Sequence, residues 1–253
     1  MKATEFLTLL GVGLENLGHL AALSAREAAR LGRYRWWWRL RLAMAAAYAL
    51  DPAFRVCLRE APNSGLPEHE ATFGETPMLT AYEWFRELGI GRDDTVVDMG
   101  CGRGGTVLLA AAAFGARGIG LEVLPTFVAR ARAVARRLEL ADRVSFEQCD
   151  FRQGPLPRAS LYLLSGTCLE RESWDRLKRL LVEAPGGARA ISISMPLPGL
   201  TWEPCWERRL PYSWGYATTY LQRRLEPRGN RRKLTSRKRS PRPLPRCSPA
   251  PSP

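Results

Sequence analysis

Three clusters of side chains in the middle of this chain have the types and spacing to hold a small charged ligand. Asp98, Gly100, Gly102 and Gly104 form D-x-G-x-G-x-G. Small residues let a ligand touch the backbone, and a helix N-terminus behind them offers free N–H groups to an anion. Glycine loops of this kind serve dinucleotide and nucleotide sites alike. Asp98 narrows the choice, because a carboxylate there repels a pyrophosphate and suits a cation. A ligand end carrying both an ammonium and a carboxylate fits better than NAD. Glu122 is placed to accept hydrogen bonds from ribose hydroxyls. Asp150, followed by Phe151, offers an acceptor for an adenine amine and a ring to stack on it. Capping or loop solvation explains any one of these acids well, but explains all three together poorly.

The elements that must position these groups follow from the pattern after Thr95. DTVVDMG reads as a short buried strand, GTVLLAAAAFG as an Ala-rich helix closed by Gly115, and ARGIGLE as a second strand ending at Glu122. Pro125 opens a helix whose Phe127, Val128, Ala131, Val134, Ala135 and Leu138 share one apolar face. RVSFEQCD and ASLYLLS read as the third and fourth strands, then a helix over 171–183 and the strand ARAISISM. Such alternation predicts a mostly parallel sheet with helices on both faces, and right-handed crossovers put all the strand C-termini on one edge. WEPCWERRL and YSWGYATTYLQ, with a turn at Pro211, predict a closing antiparallel hairpin.

Composition removes other classes. The six cysteines (57, 101, 149, 168, 205 and 247) form no C-x-x-C pair and the histidines are His19 and His69, which argues against a zinc ribbon or finger, against any metal site and against a disulfide scaffold. Neither histidine has a convincing nucleophile partner for hydrolysis. Charge-free stretches such as 42–50 reach about half the length a membrane-spanning helix needs, and Glu5 and Glu15 interrupt a secretory pattern. The expectation is a reduced cytoplasmic protein. Its net charge of +13 sits at the ends: residues 1–50 carry +4, residues 221–253 carry +10, and the stretch between them −1.

Together, DMGCGRGG, GLE and CDF in this order and spacing resemble the class I S-adenosylmethionine-dependent methyltransferases, over about residues 73–195. The resemblance implies a Rossmann-like seven-stranded sheet with an antiparallel last strand, and S-adenosyl-L-methionine as cofactor. It assigns Asp98 and the glycines to the methionine moiety, Glu122 to the ribose, and Asp150 with Phe151 to the adenine. Upstream, Phe73-Gly74-Glu75-Thr76-Pro77 is similar to the aromatic-Gly-Glu-Thr segment of the non-SET histone-lysine methyltransferases, which folds over the cofactor; Glu75 and Thr76 are then lid residues. The hairpin after SMPLPG, with Trp202, Trp214 and Tyr216, is similar to the ATP-synthase c-subunit lysine methyltransferases, whose members act near a membrane. The Asn that the histone enzymes carry after the fourth strand is replaced by Ser165-Gly166-Thr167-Cys168. No Asn/Asp-Pro-Pro-Tyr loop is present, and Pro204-Cys205 falls after the fifth strand, where a cytosine-C5 nucleophile does not belong.

The implied reaction is methyl transfer, with a protein lysine as the first acceptor and RNA or a small molecule as alternatives. Phe73, Trp202, Tyr212, Trp214 and Tyr216 are the expected aromatic wall for the acceptor, with no obligatory general base. The contrasting reading is a non-catalytic cofactor-binding scaffold acting through its basic ends. Three regions are expected: an N-terminal helical extension (1–60) with helices over 4–31 and 34–49, the methyltransferase domain (61–220), and a disordered basic Pro/Ser-rich tail (221–253). In RYRWWWRLR, Arg33 to Arg41 interleave with Trp36, Trp37 and Trp38. Three adjacent tryptophans on a helix cannot all face one core, so this segment is a candidate for a peripheral membrane surface or a docking partner. The tail offers a nucleic-acid arm as an alternative to a solvated extension.

Overall fold

The computed structural model describes residues 3–67, 70 and 73–226, with side chains from residue 16 onward. His69 and residues 227–253 of the basic tail lie outside the described residues. The N-terminal part forms α1 (Ala3–Leu31), α2 (Arg35–Ala47) and α3 (Ala53–Glu60), followed by α4 (Met78–Glu87). Strands and helices then alternate: β1 (Thr95–Met99), α5 (Gly105–Phe114), β2 (Arg117–Glu122), α6 (Pro125–Arg137), β3 (Val144–Gln148), β4 (Leu161–Ser165), α7 (Arg171–Leu180) and β5 (Arg189–Ile193). The chain closes with the hairpin β6 (Trp202–Tyr212) and β7 (Gly215–Arg224). Together the strands make one seven-stranded sheet, order β3-β2-β1-β4-β5-β7-β6. The first five are parallel, and β7 runs antiparallel to both its neighbours. The expected sheet and its antiparallel strand are therefore present. The order reverses between β1 and β4, which opens a crevice at their C-terminal ends.

Alternating side chains explain why the strands are apolar throughout. Val96, Leu161, Leu163 and Ile191 pack with α4, α5 and α6 on one face, while Val97, Met99, Tyr162 and Leu164 pack with Trp174 and Leu177 of α7 on the other. Parallel strands covered on both faces need this composition.

The N-terminal helices belong to the same core. Leu40, Ala43 and Met44 of α2 join the cluster built on α4, α5 and α6, and Tyr48, Val56 and Cys57 close over Leu124 and Phe127. The three tryptophans diverge as helical geometry requires. Trp37 is buried, Trp38 is 51% exposed, and Trp36 stacks on Tyr34 and Tyr82 with ring centroids 5.6 and 5.8 Å away. Glu27 of α1 is the buried anchor: it accepts from Trp37 Nε1 (3.1 Å), Arg41 Nη1 (3.3 Å) and the Leu79 amide in the first turn of α4 (3.4 Å).

Three expectations need correction. The hairpin turns at Ser213-Trp214, not at Pro211, which pairs with Tyr216 inside β6. Proline is tolerated there because β6 is an edge strand, with no further neighbour to receive an N–H. Strand β7 runs to Arg224, with Leu221 and Gln222 buried, so the ordered body passes the boundary expected at 221. Its pairing with β5 and β6 outweighs the basic composition of its last residues. Trp202, expected in the acceptor wall, pairs with Arg224 at the start of β6. It is buried in the core on the α7 face, at the sheet edge opposite the strand C-termini.

Glu27→Ala removes the acceptor of the buried Trp37 indole and is expected to destabilise the protein by about 1–3 kcal/mol. Glu27→Gln, which keeps an oxygen, should cost less; chemical denaturation of the two variants checks the order.

Candidate cofactor and acceptor site

The glycine loop lies where β1 ends. Amides of Gly100 and Cys101 donate to the Leu121 carbonyl at 2.9 and 3.0 Å, fixing the loop to β2. Gly104, the residue before α5, has φ +77°, and a Cβ there would stand 2.4 Å from the Phe146 ring. Only glycine satisfies both constraints. Glu122, at the end of β2, braces the same loop. Its Oε2 accepts the Gly102 amide (2.7 Å), and its Oε1 accepts those of Val123 and Leu124 (2.8 and 2.9 Å). Burial raises the Glu122 pKa against the pull of these three amides, and the Glu60 charge adds to the rise. With two lone-pair directions per oxygen, one on Oε2 remains for a hydroxyl.

Asp98 sits on the crevice floor with the Thr106 hydroxyl donating to it. Burial, opposed by that bond and reinforced by the Glu122 charge, pushes its pKa up to about 6. An ionised carboxylate here is short of positive charge.

The crevice has two lobes that share Phe73, Gly74, Gly100 and Gly102. One contains Glu122, Leu124, Phe127, Asp150 and Phe151, two acids among largely apolar side chains. The other contains Asp98, Thr106, Ser165, Ile193, Trp84 and Trp214. S-adenosylmethionine fits this set: an unbalanced, half-buried carboxylate for its cationic end, a glycine floor, an open acceptor on Glu122 for ribose, and rings for the base.

Asp150 is heavily engaged by its own loop. Oδ1 accepts the Arg152 amide and Nε at 3.0 and 2.8 Å, and Oδ2 accepts Arg152 Nη2 and Gln153 Nε2 at 2.8 and 2.9 Å. Burial alone would raise its pKa, but Arg152 holds the carboxyl below the ordinary range. Arg152 also reaches Glu70 at 2.7 Å and Ser173 at 2.9 Å. An adenine amine approaching Asp150 therefore competes with Arg152, whereas Phe151 presents its ring to the lobe without such competition.

The segment over the crevice is strapped on two sides. Glu75 receives a bidentate guanidinium from Arg103 of the glycine loop (2.6 and 2.5 Å). Its amide donates to Ser213 Oγ (2.8 Å), and its carbonyl accepts the Ser213 amide (3.0 Å) at the hairpin tip. Trp214 lies so close to Gly74 that a Cβ there would be 2.4 Å from its ring. Thr76 lines the acceptor lobe beside Glu75. Arg103 and Ser213 were not read from the sequence as site residues; a long cation among the small residues of GCGRGG was the available signal for the first.

Of the aromatic residues expected around the acceptor, Phe73 and Trp214 line the lobe. Tyr212 is fully buried and stacks behind Trp214, centroids 4.7 Å apart. Tyr216 is half exposed beside His19, whose Nε2 lies 2.7 Å from the Tyr212 carbonyl oxygen. Trp84, missed by the sequence reading because α4 carries no motif, completes the wall.

A family profile described as "Methyltransferase domain" matches residues 96–185. The geranyl diphosphate 2-C-methyltransferase of Streptomyces ambofaciens is 36% identical over 72 residues, which is 28% of this chain and 25% of that protein. The chain thus matches a quarter of the length of this curated relative. Among solved structures, an RNA methyltransferase from Salinibacter ruber in complex with S-adenosyl-L-homocysteine aligns with a TM-score of 0.52 and 27% identity, covering 62% of this chain and 97% of that one. The [4+2]-cyclase SpnF aligns at 0.51 and 15% identity, over 59% of this chain and 82% of its own, and shares the fold alone.

The charge on Asp98 makes a pH prediction. Its folded-state pKa of about 6 stands above the ordinary 3.8, so the native state binds more protons than the unfolded state between these values. Stability of the ligand-free protein therefore falls as pH rises through that window, by roughly 2–3 kcal/mol at most. Asp98→Asn is expected to raise the melting temperature of the ligand-free protein at pH 7.5, with the gain vanishing near pH 4, and to weaken S-adenosylmethionine binding; melts and titration calorimetry check both. The matched profile, the sheet order and this cleft show that the chain carries a class I S-adenosylmethionine-dependent methyltransferase domain.

Proposed function

We propose that this chain methylates the side-chain amine of a lysine in a protein substrate. The observation that carries the reading is the acceptor lobe, where rings from three separate elements, Phe73, Trp84 and Trp214, surround the approach to Asp98 and the glycine loop. Flat walls sheathe a slim aliphatic stem and favour a cationic tip over their faces. When bound, S-adenosylmethionine supplies a methyl group on a cationic sulfur, displaced in line with a neutral leaving group.

The chain's own residues provide alignment and dryness. Phe73 and Trp214 exclude water from the lobe, and Tyr212, fixed by the Thr219 hydroxyl at 2.5 Å, keeps Trp214 from tilting away. A lysine ammonium has a pKa of about 10.4 in water, and desolvation between rings lowers it toward the neutral amine the reaction needs. Glu75 is engaged by Arg103 and His19 faces the Tyr212 carbonyl, so neither is set up as a base. The proton is then lost to solvent as the stem is seated.

RNA is the second acceptor reading, supported by the likeness to the Salinibacter ruber RNA methyltransferase, nearly all of which is covered. Incubating the protein with methyl-labelled cofactor and separated protein, RNA and small-molecule fractions of a lysate of its own host distinguishes the two. Label is expected on lysine in the protein fraction; label confined to RNA overturns the lysine assignment. Trp214→Ala should lower turnover at least about tenfold while changing cofactor affinity by less than about threefold.

A peripheral membrane contact is a further part of this reading. Trp38 and Leu42 on α2, and Phe54 and Leu58 on α3, are each more than half exposed, with Arg35, Arg39, Arg55 and Arg59 exposed among them. Such a mixture of apolar and cationic groups suits an anionic bilayer surface. Among the described residues, no helix is long and apolar enough to cross a membrane. Co-sedimentation with vesicles containing phosphatidylglycerol should fall several-fold for Trp38→Ala/Leu42→Ala, and equal binding by that variant would remove this surface.

A further inference from the structure

We propose that the groove between α1, α4 and β6 docks an acidic segment of the protein substrate, beside the lobe that takes its lysine; this rests on the lysine reading above. Arg26 and Arg30, one turn apart on α1, face Arg86 of α4 and Arg208 of β6 across the groove. Arg208 is held by Glu87 at 2.7 and 3.0 Å. Among the described residues no ion pair binds Arg26, Arg30 or Arg86, all of which are exposed. Three guanidiniums with no direct ion-pair partner among the described residues, around one concavity whose lining holds four arginines against two glutamates, suit a partner that brings carboxylates.

The chemistry of the groove favours a polypeptide over a nucleic acid. Glu83 and Glu87 lie one turn apart on α4 within the same lining. They break the cationic track that a continuous phosphate backbone requires, one negative charge per nucleotide. Leu23, Leu79, Leu210 and Pro211 supply apolar patches between the charges, which a folded-on protein segment covers and a phosphate chain does not.

Position connects the groove with the reaction. Trp84 lines both the groove and the acceptor lobe, and its indole Nε1 is buried with no hydrogen-bond partner. Pro77, which ends the strapped segment, lines the groove as well, and the Thr80 hydroxyl donates to the Pro211 carbonyl at 3.3 Å beneath it. A segment seated here lies against the same ring and the same strap that wall the acceptor.

Fluorescence anisotropy tests the assignment. The probes are a labelled 16-residue peptide of Glu, Leu and Ala with one central Lys, the same peptide with Gln for every Glu, and a labelled 12-mer of uridylate. The acidic peptide is expected to bind the intact protein, to lose at least about tenfold in affinity when Gln replaces Glu, and to lose as much against Arg26→Ser/Arg30→Ser/Arg86→Ser. Single Arg26→Ser and Arg86→Ser variants, with melts of each, guard against a misfolded triple variant. Equal binding by the triple variant, or binding of uridylate but not of the acidic peptide, overturns the proposal. Peptide binding should persist in Phe151→Ala, which alters the other lobe, away from the acceptor wall. If it persists while no protein fraction accepts label, the groove stands and the lysine assignment alone falls.

Discussion

A half-buried carboxylate with no cation beside it among the described residues is the constraint around which this structure is organised. Asp98 has the Thr106 hydroxyl as its hydrogen-bond partner, and the Glu122 charge works against its ionisation. Burying a charge is tolerated only when something compensates it. The surrounding architecture keeps the acid in place while leaving that compensation to a ligand: Glu122 spends three of its acceptor directions bracing the glycine loop and the start of α6, and the loop itself hangs from β2 by two amides. The site is thus rigid where it must bind charge and short of charge where the ligand supplies it.

Closure of the crevice depends on parts far apart in sequence. The strap over it, residues 73–77, is held by Arg103 from the glycine loop and by Ser213 from the hairpin tip. The hairpin in turn is touched by His19 of α1, and the first turn of α4 by Glu27. The N-terminal helices are therefore part of the frame of the site. This gives a physical reason for α2 contributing Leu40, Ala43 and Met44 to the same core that supports β1 and β4: without that burial the strap has no fixed outer wall. The tryptophan run serves two ends, Trp37 inward on Glu27 and Trp38 outward to solvent.

Much of this was legible in the sequence because the signals are local. Strand periodicity, Gly115 and Pro125 at helix ends, and the D-x-G-x-G-x-G spacing depend on residues within a few positions of one another, and the strands and α5–α7 lie close to where the pattern puts them. The acceptor wall was legible only in part. Aromatic content near the C-terminus pointed to four rings, with Phe73 as a fifth, but which ring faces the lobe depends on strand register and on which end of a strand a residue occupies. Trp202 and Trp214 look alike in sequence; antiparallel pairing sends one to the far sheet edge and the other over Gly74. Trp84 was invisible because a helix interior carries no mark of what lies across from it.

By itself, then, the sequence determined the alternating α/β architecture, the acidic strand ends and the glycine floor, since each is written in composition and short spacing. The tertiary structure alone decided that Asp150 is engaged by Arg152, that Glu75 is latched by Arg103, and that three arginines share a groove with Trp84. Those are facts of long-range juxtaposition: a guanidinium chooses its carboxylate by distance in space, and helix packing and strand order, not neighbouring residues, set that distance.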